Sequence, residues 1–236
     1  MARKRQIPPH RIPNSKYPFT PDTYPGRRPR FSFFFTPKGI YRLKLRTLNQ
    51  FLAERKLPPL NRRFAVLAYG SNACPGQLLC KCLEHGLTDV PVLFGRLNGA
   101  AAVYAHRPTK KHGNVPATLA RKKGNRSSWI TLLTREQLRA MDRSEGRPGG
   151  SYVLAELPGV QFSIGRPRIA PLYAYVNIRK GVMIREGKPV SLHSTSQMRA
   201  RSLLASTKGE DAANWLDFVT IPNPNPPAQY SQILRR

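Results

Sequence analysis

Beyond residue 63, short apolar runs alternate with turn-forming residues. The run 64–69 (FAVLAY), followed by Gly70-Ser71-Asn72, predicts a buried strand and a turn, and Pro75 is placed to open a helix. Further strands are predicted at 90–95, 100–106, 117–120, 129–133, 152–157 and 172–177, and further helices after Thr134, at about 195–204 and at about 211–218. Many short strands with few helices favour an α+β fold: a small closed or curved β-barrel with flanking helices.

The first 63 residues follow a different pattern. They carry 16 Lys and Arg against two acidic residues, and they hold 10 of the 23 prolines. We expect a basic, Pro-rich extension, mostly an extended arm, with one helix at about 37–56 where apolar residues recur at helical spacing. The arm is either a solubilising tail or a segment that lies along phosphates. The predicted domain then covers 64–221, and 222–236 forms an extended tail.

Charge is the abnormal property of this sequence. The chain has 40 Lys and Arg against 12 Asp and Glu, a formal net charge of +28. Such an excess predicts a polyanionic partner, with RNA favoured over DNA. The candidate nucleic-acid-binding residues lie in the arm and in two basic stretches predicted to be loops: Arg3, Lys4, Arg5, Arg27, Arg28, Arg30, Lys110, Lys111, Arg121, Lys122 and Lys123.

The cysteines and the apolar runs exclude other classes. Cys74, Cys80 and Cys82 lie within nine residues, and an odd clustered count does not build a disulfide framework, so a reducing compartment is expected, either cytoplasm or an organellar matrix such as that of mitochondria. No run approaches the roughly 18 apolar residues of a membrane span. Cys80, Cys82 and His85 lack a second ligand pair, so neither a metal nor a cofactor is predicted. The oligomeric state stays open.

Two segments carry candidate chemistry. At Gly70-Ser71 a strand runs into a turn and then a helix, which collects unpaired backbone N–H groups that bind anions such as a carboxylate. The alternative is a plain strand–turn–helix junction. The second segment places Glu145 after a short helix and before a Gly-rich connection to Tyr152. Taken alone, Glu145 between Arg143 and Arg147 fits a solvated loop acid better than an active-site group.

Together, these segments resemble the γ-glutamylcyclotransferase family over residues of about 64–207. The resemblance rests on Tyr-Gly-Ser-Asn at 69–72, Glu-Gly at 145–146 and Tyr152, with further likeness at 92–97, 114–119, 128–130 and 173–175. It implies a small barrel-like α+β fold whose cavity lies at the Tyr-Gly-Ser-Asn loop. It also implies site roles: Glu145 as the catalytic acid/base, Tyr69, Gly70, Ser71 and Asn72 as the loop that grips the substrate head group, and Tyr152 and Tyr175 as pocket walls.

The reaction that the resemblance implies is intramolecular. The α-amine of a γ-glutamyl group attacks its own side-chain amide carbonyl, which gives 5-oxoproline and a free amine or amino acid. Because the attack closes a five-membered ring, holding the chain folded supplies much of the rate. One acid/base group must take a proton from the ammonium and return it to the leaving amine. No metal or organic cofactor is implied.

Some residues depart from the family pattern. Ser144 stands where the family often has Gln, and Arg143 and Arg147 flank Glu145, where they would favour its carboxylate form if they lie close. The basic arm also lies outside the family pattern. Three functions therefore stay open. The chain is a cyclotransferase that acts on a γ-glutamyl substrate, or it is an idle cyclotransferase fold reused as a basic, nucleic-acid-bound subunit of a ribosomal or other ribonucleoprotein particle. The third is the combination of the two, an active enzyme tethered to nucleic acid.

Overall fold

The computed structural model describes residues 11–110, 112–165 and 168–224. Its strands, in chain order, are β1 (Arg11–Ile12), β2 (Phe33–Thr36), β3 (Gly39–Arg42), β4 (Phe64–Leu67), β5 (Val90–Tyr104), β6 (Ala117–Leu133), β7 (Tyr152–Glu156), β8 (Gln161–Ser163), β9 (Arg168–Ile169), β10 (Tyr173–Asn177), β11 (Val182–Arg185), β12 (Lys188–Pro189), β13 (Lys208–Glu210) and β14 (Val219–Thr220). Its α-helices are α1 (Leu48–Glu54), α2 (Pro75–His85), α3 (Arg135–Ser144) and α4 (Gln197–Leu203).

One large mixed sheet organises the molecule. Its main path runs β1-β3-β2-β5-β6-β4-β10-β7-β14, with β8 and β9 added beside β5, while β12-β11-β13 form a small second sheet. The β5–β6 hairpin is the longest pairing, and β4 lies between β6 and a parallel neighbour, β10. Apolar side chains are buried on both faces of the large sheet, and α2 and α3 cover one of them.

The predicted closed barrel is wrong. Within the described residues, the path ends at β1 on one side and at β14 on the other. Closure would require hydrogen bonds between these end strands, but each is two residues long and pairs with a single inner neighbour. The fold is a mixed α+β architecture with one large open sheet and four flanking helices in the part of the chain that the structure describes.

The prediction of an extended arm with a helix at about 37–56 is also wrong for much of this segment. Strands β2 and β3 form a hairpin across 33–42, and β2 pairs with β5 of the large sheet. The aromatic run Phe33-Phe34-Phe35 explains the strand, because its side chains are fully buried on both faces of the sheet. The helix is limited to α1. The domain boundaries themselves stay predictions, and residues 1–10 and 225–236 lie outside the described residues.

The remaining elements agree better with the sequence. Helix α3 begins at the predicted capping box, where the Thr134 side chain accepts the Gln137 N–H and Gln137 caps in return. Helix α2 begins at Pro75 as predicted. The strands predicted separately on each side of residues 96–99 and 121–128 are continuous in β5 and β6. Arg121, Lys122 and Lys123 therefore lie in a strand and not in the predicted loop. None of the described helices could span a membrane.

Candidate functional site

The loop after β4 brings all the sequence-predicted catalytic and substrate-binding residues to one cavity. That cavity has a volume of about 30 Å³, and it is lined by Tyr24, Leu67, Tyr69, Gly70, Ser71, Asn72, Ala117, Glu145, Tyr152 and Tyr175. The loop leaves the sheet at the end of β4 and turns through Ser71–Ala73 into α2. Glu145 arrives at the C-terminus of α3, Tyr152 at the start of β7 and Tyr175 in β10. Residues distant in sequence thus share one small space.

Glu145 is held by two donors. Its Oε1 accepts a hydrogen bond from Asn72 Nδ2 at 3.0 Å and forms an ion pair with Lys81 Nζ at 2.5 Å. The Lys81 ammonium also donates to Ser144 Oγ at 2.8 Å. The side chains of Lys81 and Glu145 are only 6 % and 16 % exposed, so solvent screens this ion pair little. The Glu145 carboxylate is thus already engaged by an amide and an ammonium group of the chain.

The cation beside Glu145 differs from the sequence expectation. Arg147 instead pairs with Asp142 at 2.8 Å, and Arg143 lines a different cavity. The partner is Lys81, which sequence reasoning missed. A signal for it was present, because Lys81 follows Leu78 by three residues on α2 and therefore shares the buried face of that helix. A lysine on the apolar face of a helix needs a buried partner.

Three predicted pocket tyrosines are engaged in protein contacts. Tyr69 donates its hydroxyl hydrogen to the carbonyl of Tyr175, Tyr175 donates to Asp142 Oδ1 at 2.7 Å, and Tyr152 donates to the Ala117 carbonyl at 3.0 Å. Burial raises the pKa of Tyr69, Tyr152 and Tyr175. These side chains therefore stay neutral donors that brace the walls of the cavity.

Tyr24, which sequence reasoning also missed, forms part of the wall of the cavity. Its hydroxyl oxygen accepts the Ala117 N–H at 2.9 Å. A Cβ placed on Gly70 would lie 2.7 Å from that same oxygen, so the approach of Tyr24 requires glycine at this position. Burial also raises the pKa of Tyr24 well above its usual value. No local sequence pattern indicates this contact, because 45 intervening residues separate Tyr24 from Gly70.

The segment around Tyr24 is anchored on the loop and on the start of α2. Arg28 Nη1 donates to the carbonyls of Tyr69 and Gly70 at 3.1 and 3.3 Å. The Gly76 N–H, in the first turn of α2, donates to the carbonyl of Tyr17 at 3.0 Å. The sequence analysis assigned the backbone N–H groups at this helix start to anion binding. This one instead donates a hydrogen bond to the chain itself. The space left in the cavity suits one or two water molecules and not a γ-glutamyl group.

One polar atom of the cavity has no partner. Asn72 Oδ1 is buried, and no described residue donates a hydrogen bond to it. Such an atom is costly in a folded protein unless a water or a ligand satisfies it. The chemistry available at this site is therefore one carboxylate, one amide acceptor and a lysine, all beside the turn of the loop.

The predicted nucleic-acid-binding residues fall into several groups. Arg3, Lys4, Arg5 and Lys111 lie outside the described residues. Arg27, Arg30, Lys110, Lys122 and Lys123 are exposed. Arg28 is the exception, because it is largely covered and its guanidinium lies 4.5 Å from the centre of the Trp129 ring. Arg121 is exposed but paired with Asp217.

In the described part of the chain, no group of three or more His, Cys, Asp or Glu residues is placed so that it could hold a metal ion. Cys74 is buried, with a raised pKa caused by that burial, whereas Cys80 is exposed. A larger cavity of about 400 Å³ lies elsewhere and contains none of the predicted catalytic or substrate-binding residues.

The sequence matches no family model and no curated protein. A solved structure described as a gamma-glutamyl cyclotransferase is 18 % identical, with a TM-score of 0.39, and the match covers 49 % of this chain and 66 % of that one. An uncharacterized protein from Homo sapiens gives 21 % identity and a TM-score of 0.38 over 49 % of this chain and 67 % of its own. YkqA from Bacillus subtilis is 13 % identical, with a TM-score of 0.41, over 77 % of this chain and 65 % of its own. The chain thus spans about two thirds of the length of each of these proteins.

Proposed function

We propose that this protein is an RNA-binding subunit of a ribonucleoprotein particle, and that its cyclotransferase-like cavity is held closed by its own Tyr24. The observation that carries the proposal is the net charge of +28. The positive charge is present in both parts of the chain, since residues 1–63 and residues 64–236 each contribute +14. A partner that neutralises this charge must be a polyanion, and a basic charge spread over a whole chain suits an extended one.

The small volume of the cavity supports a binding function over catalysis. A γ-glutamyl group must reach Glu145 to be cyclised, and the cavity that Tyr24 and Glu145 line has a volume of only about 30 Å³. The anchors of Arg28 on the loop carbonyls hold this arrangement. On this proposal the cyclotransferase-like residues stabilise the fold, because Tyr69, Tyr152 and Tyr175 all donate hydrogen bonds to other residues of the chain.

The test is retention on RNA as a function of salt. Purified protein is freed of nucleic acid and titrated against a labelled oligouridine, and the same titration is run with single-stranded DNA of equal length. We expect tight binding at low salt and a steep linear fall of log affinity with log salt, because each phosphate contact releases counterions. RNA is expected to bind more tightly than DNA. Weak retention that ignores salt would refute the proposal.

A second candidate, cyclotransferase activity, is favoured by one observation. The Glu145 carboxylate and the unpartnered Asn72 Oδ1 face the same cavity, where an acceptor could hold the ammonium of a γ-glutamyl substrate. In that reaction the amine nitrogen bonds to the side-chain carbonyl carbon while the amide C–N bond breaks. Glu145 takes a proton from the attacking ammonium and returns it to the leaving amine. The step requires Tyr24 to leave the cavity.

This candidate is tested by 5-oxoproline release from a panel of γ-glutamyl amino acids, γ-glutamylamines and glutathione. The proteins are the wild type, Tyr24→Ala and Tyr24→Ala/Glu145→Gln. Turnover that appears in Tyr24→Ala and disappears in the double variant would establish a latent enzyme. Turnover absent from all three, in proteins with unchanged circular dichroism, would rule out the second candidate and leave the first standing.

A further inference from the structure

The long β5–β6 hairpin and the two strands beside it, β8 and β9, present one exposed polar face. Ser127 of β6 lies opposite Arg96 of β5, Arg96 lies opposite Ser163 of β8, and Ser163 lies opposite Arg168 of β9. Directly opposed residues in antiparallel strands point to the same side of a sheet. The four side chains therefore form one row across the strands. The alternate residues on the other side are core residues: Leu97, Phe162 and Ile169.

The row is cationic and lacks compensating acids. Arg96 makes only a long contact with Ser127 Oγ, at 3.4 Å, and neither Arg96 nor Arg168 belongs to an ion pair among the described residues. The flanking positions on the same side include Asn98 and Gln161, which are opposed, exposed and uncharged. The backbones that carry Arg96 and Arg168 are separated by one strand and thus lie about 10 Å apart, with small polar side chains between the two arginines.

A bulge in β6 adds two lysines beside this row. The β5–β6 register shifts between Leu97 and Gly99, and the Gly124 N–H donates to Asn98 Oδ1 at 3.2 Å. Arg126 turns back onto the bulge, with Nη1 donating to the carbonyls of Lys123 and Gly124 at 2.9 and 2.8 Å. Arg126 is therefore a structural brace, and Lys122 and Lys123 are left exposed without a described ion pair.

The same side also carries an aromatic group. Phe94 lies two residues before Arg96 on β5, is partly exposed, and packs against Trp129 with ring centres 5.2 Å apart. Trp129 is fixed in turn, since its Nε1 donates to the Pro29 carbonyl at 2.7 Å. A braced aromatic ring beside arginines is a platform on which an unpaired base can stack.

We propose that this surface, formed by Phe94, Arg96, Asn98, Ser127, Gln161, Ser163 and Arg168 and called here the β5–β9 face, binds single-stranded RNA. Arg96 and Arg168 contact phosphates, Phe94 stacks on a base, and the amides and hydroxyls between them bond to base edges. Base edges and faces are free in a single strand and hidden in a duplex, which is why this combination selects the former. The inference rests on the proposed function and assigns it a surface.

The experiment compares two charge-matched double variants. Arg96→Gln/Arg168→Gln removes two cations from the face, and Arg62→Gln/Arg199→Gln removes two exposed arginines, one in the Leu60–Arg62 turn and one in α4. All proteins are titrated with labelled oligouridine over a range of salt, and thermal unfolding checks that they remain folded. We expect the face variant to lose about tenfold in affinity and its salt slope to fall by about 1.4, while the control keeps both.

The outcomes distinguish the proposed RNA binding from the proposal that the β5–β9 face is the surface that binds. Equal losses of affinity in the two double variants, or no loss in the face variant, would show that the β5–β9 face is not the binding surface and would leave RNA binding itself intact. Equal affinity of the wild type for oligouridine and for duplex RNA would overturn the preference for a single strand. Failure of the wild type to bind any RNA would refute the proposed function together with the face. Phe94→Leu, expected to lower affinity with an unchanged salt slope, tests the stacking contact separately.

Discussion

Glu145 and Lys81 form an ion pair whose two side chains are largely buried. Removing one member leaves the other charged and poorly solvated, a cost that exceeds what the intact pair contributes. We expect Lys81→Met to lower the free energy of unfolding by about 3 kcal/mol and Glu145→Gln by a similar amount. Because the double variant leaves no orphan charge, its loss should be about 2 kcal/mol smaller than the sum of the single losses. Urea unfolding of the four proteins measures this coupling.

Ser144→Ala is the control for that cycle, since it removes a neutral acceptor of Lys81 and leaves the ion pair intact. Its cost should be about 1 kcal/mol. Additive losses in the Lys81 and Glu145 variants would show that the two side chains do not stabilise each other. In that case the carboxylate would be free to act as a base without first breaking an ion pair.

The buried tyrosines of the cavity predict a loss of stability in alkali. The pKa of Tyr24, Tyr69 and Tyr175 is raised well above the usual value near 10. The folded chain therefore keeps protons that the unfolded chain releases above about pH 10, so the contribution of these tyrosines to stability is constant below that pH and falls above it. Each tyrosine contributes up to about 1.4 kcal/mol per pH unit.

Tyr24→Phe measures how much one tyrosine contributes to the loss of stability in alkali. The variant keeps the ring and loses the hydroxyl, so its free energy of unfolding, measured in urea at several pH values above 10, should decline less steeply than that of the wild type. It also loses the hydrogen bond from Ala117, at a pH-independent cost of about 1 kcal/mol. Identical slopes in the two proteins would contradict the burial of Tyr24 in the cavity.

The predictable part of the site was the part that lies in short recognisable motifs. The loop at 69–72 and Glu145 were identified because these motifs, in this order, resemble a known family, and the structure brings them to one cavity. Tyr24 and Lys81 were missed because their roles depend on contacts between segments. Tyr24 precedes the loop in a segment with no periodicity, so no local pattern could place its ring against Gly70.

At the scale of elements, the N-terminal hairpin shows where periodicity misleads. The spacing of apolar residues beyond Tyr41 is helical and correctly predicts α1, but extending it back to Pro37 placed β3 in a helix. The hairpin is set instead by Phe33-Phe34-Phe35 and by Gly39, whose φ of 146° suits glycine and whose Cβ would lie 2.6 Å from the Ile12 carbonyl oxygen. That contact is long-range, so the sequence alone did not reveal it.

The junction between β5 and β8 depends on a close approach at Gly95. A Cβ there would lie 2.3 Å from the carbonyl oxygen of Ser163 and 2.7 Å from the Phe162 ring, and a backbone atom cannot move aside as a flexible side chain can. Gly95→Ala is therefore expected to lower the free energy of unfolding by about 2–3 kcal/mol and to displace β8. Gly149→Ala is the matched control, since its Cβ would meet nothing closer than 3.6 Å.

Urea unfolding of both glycine variants measures the difference, and the control should stay within about 0.5 kcal/mol of the wild type. Gly95→Ala should also weaken binding of oligouridine, because Ser163 and Arg168 would no longer align with Arg96. A stable Gly95→Ala protein would show that β8 does not pack on β5 as described.

At the scale of the whole molecule, the charge that favours an anionic partner also opposes the folded state. Like charges held in a compact body repel one another, and at a net charge of +28 the ion pairs of the described residues compensate only part of this repulsion. Dissolved salt and a bound polyanion both relieve the repulsion, but they differ in kind. Salt screens charges everywhere, whereas a polyanion binds one state of the protein and is itself displaced by salt.

The two effects predict opposite salt dependences of thermal stability. As salt rises from about 0.01 M to about 0.1 M, the screening length falls from about 30 Å to about 10 Å, so the melting temperature of the bare protein should rise by about 3 °C. With oligouridine at a hundred times its dissociation constant, low-salt stability should exceed that of the bare protein by about 2.7 kcal/mol, and this margin should shrink as salt rises. Calorimetric melting with and without RNA measures both trends. If both melting temperatures rose in parallel, RNA would act as an unspecific screen and not as a partner that binds the fold.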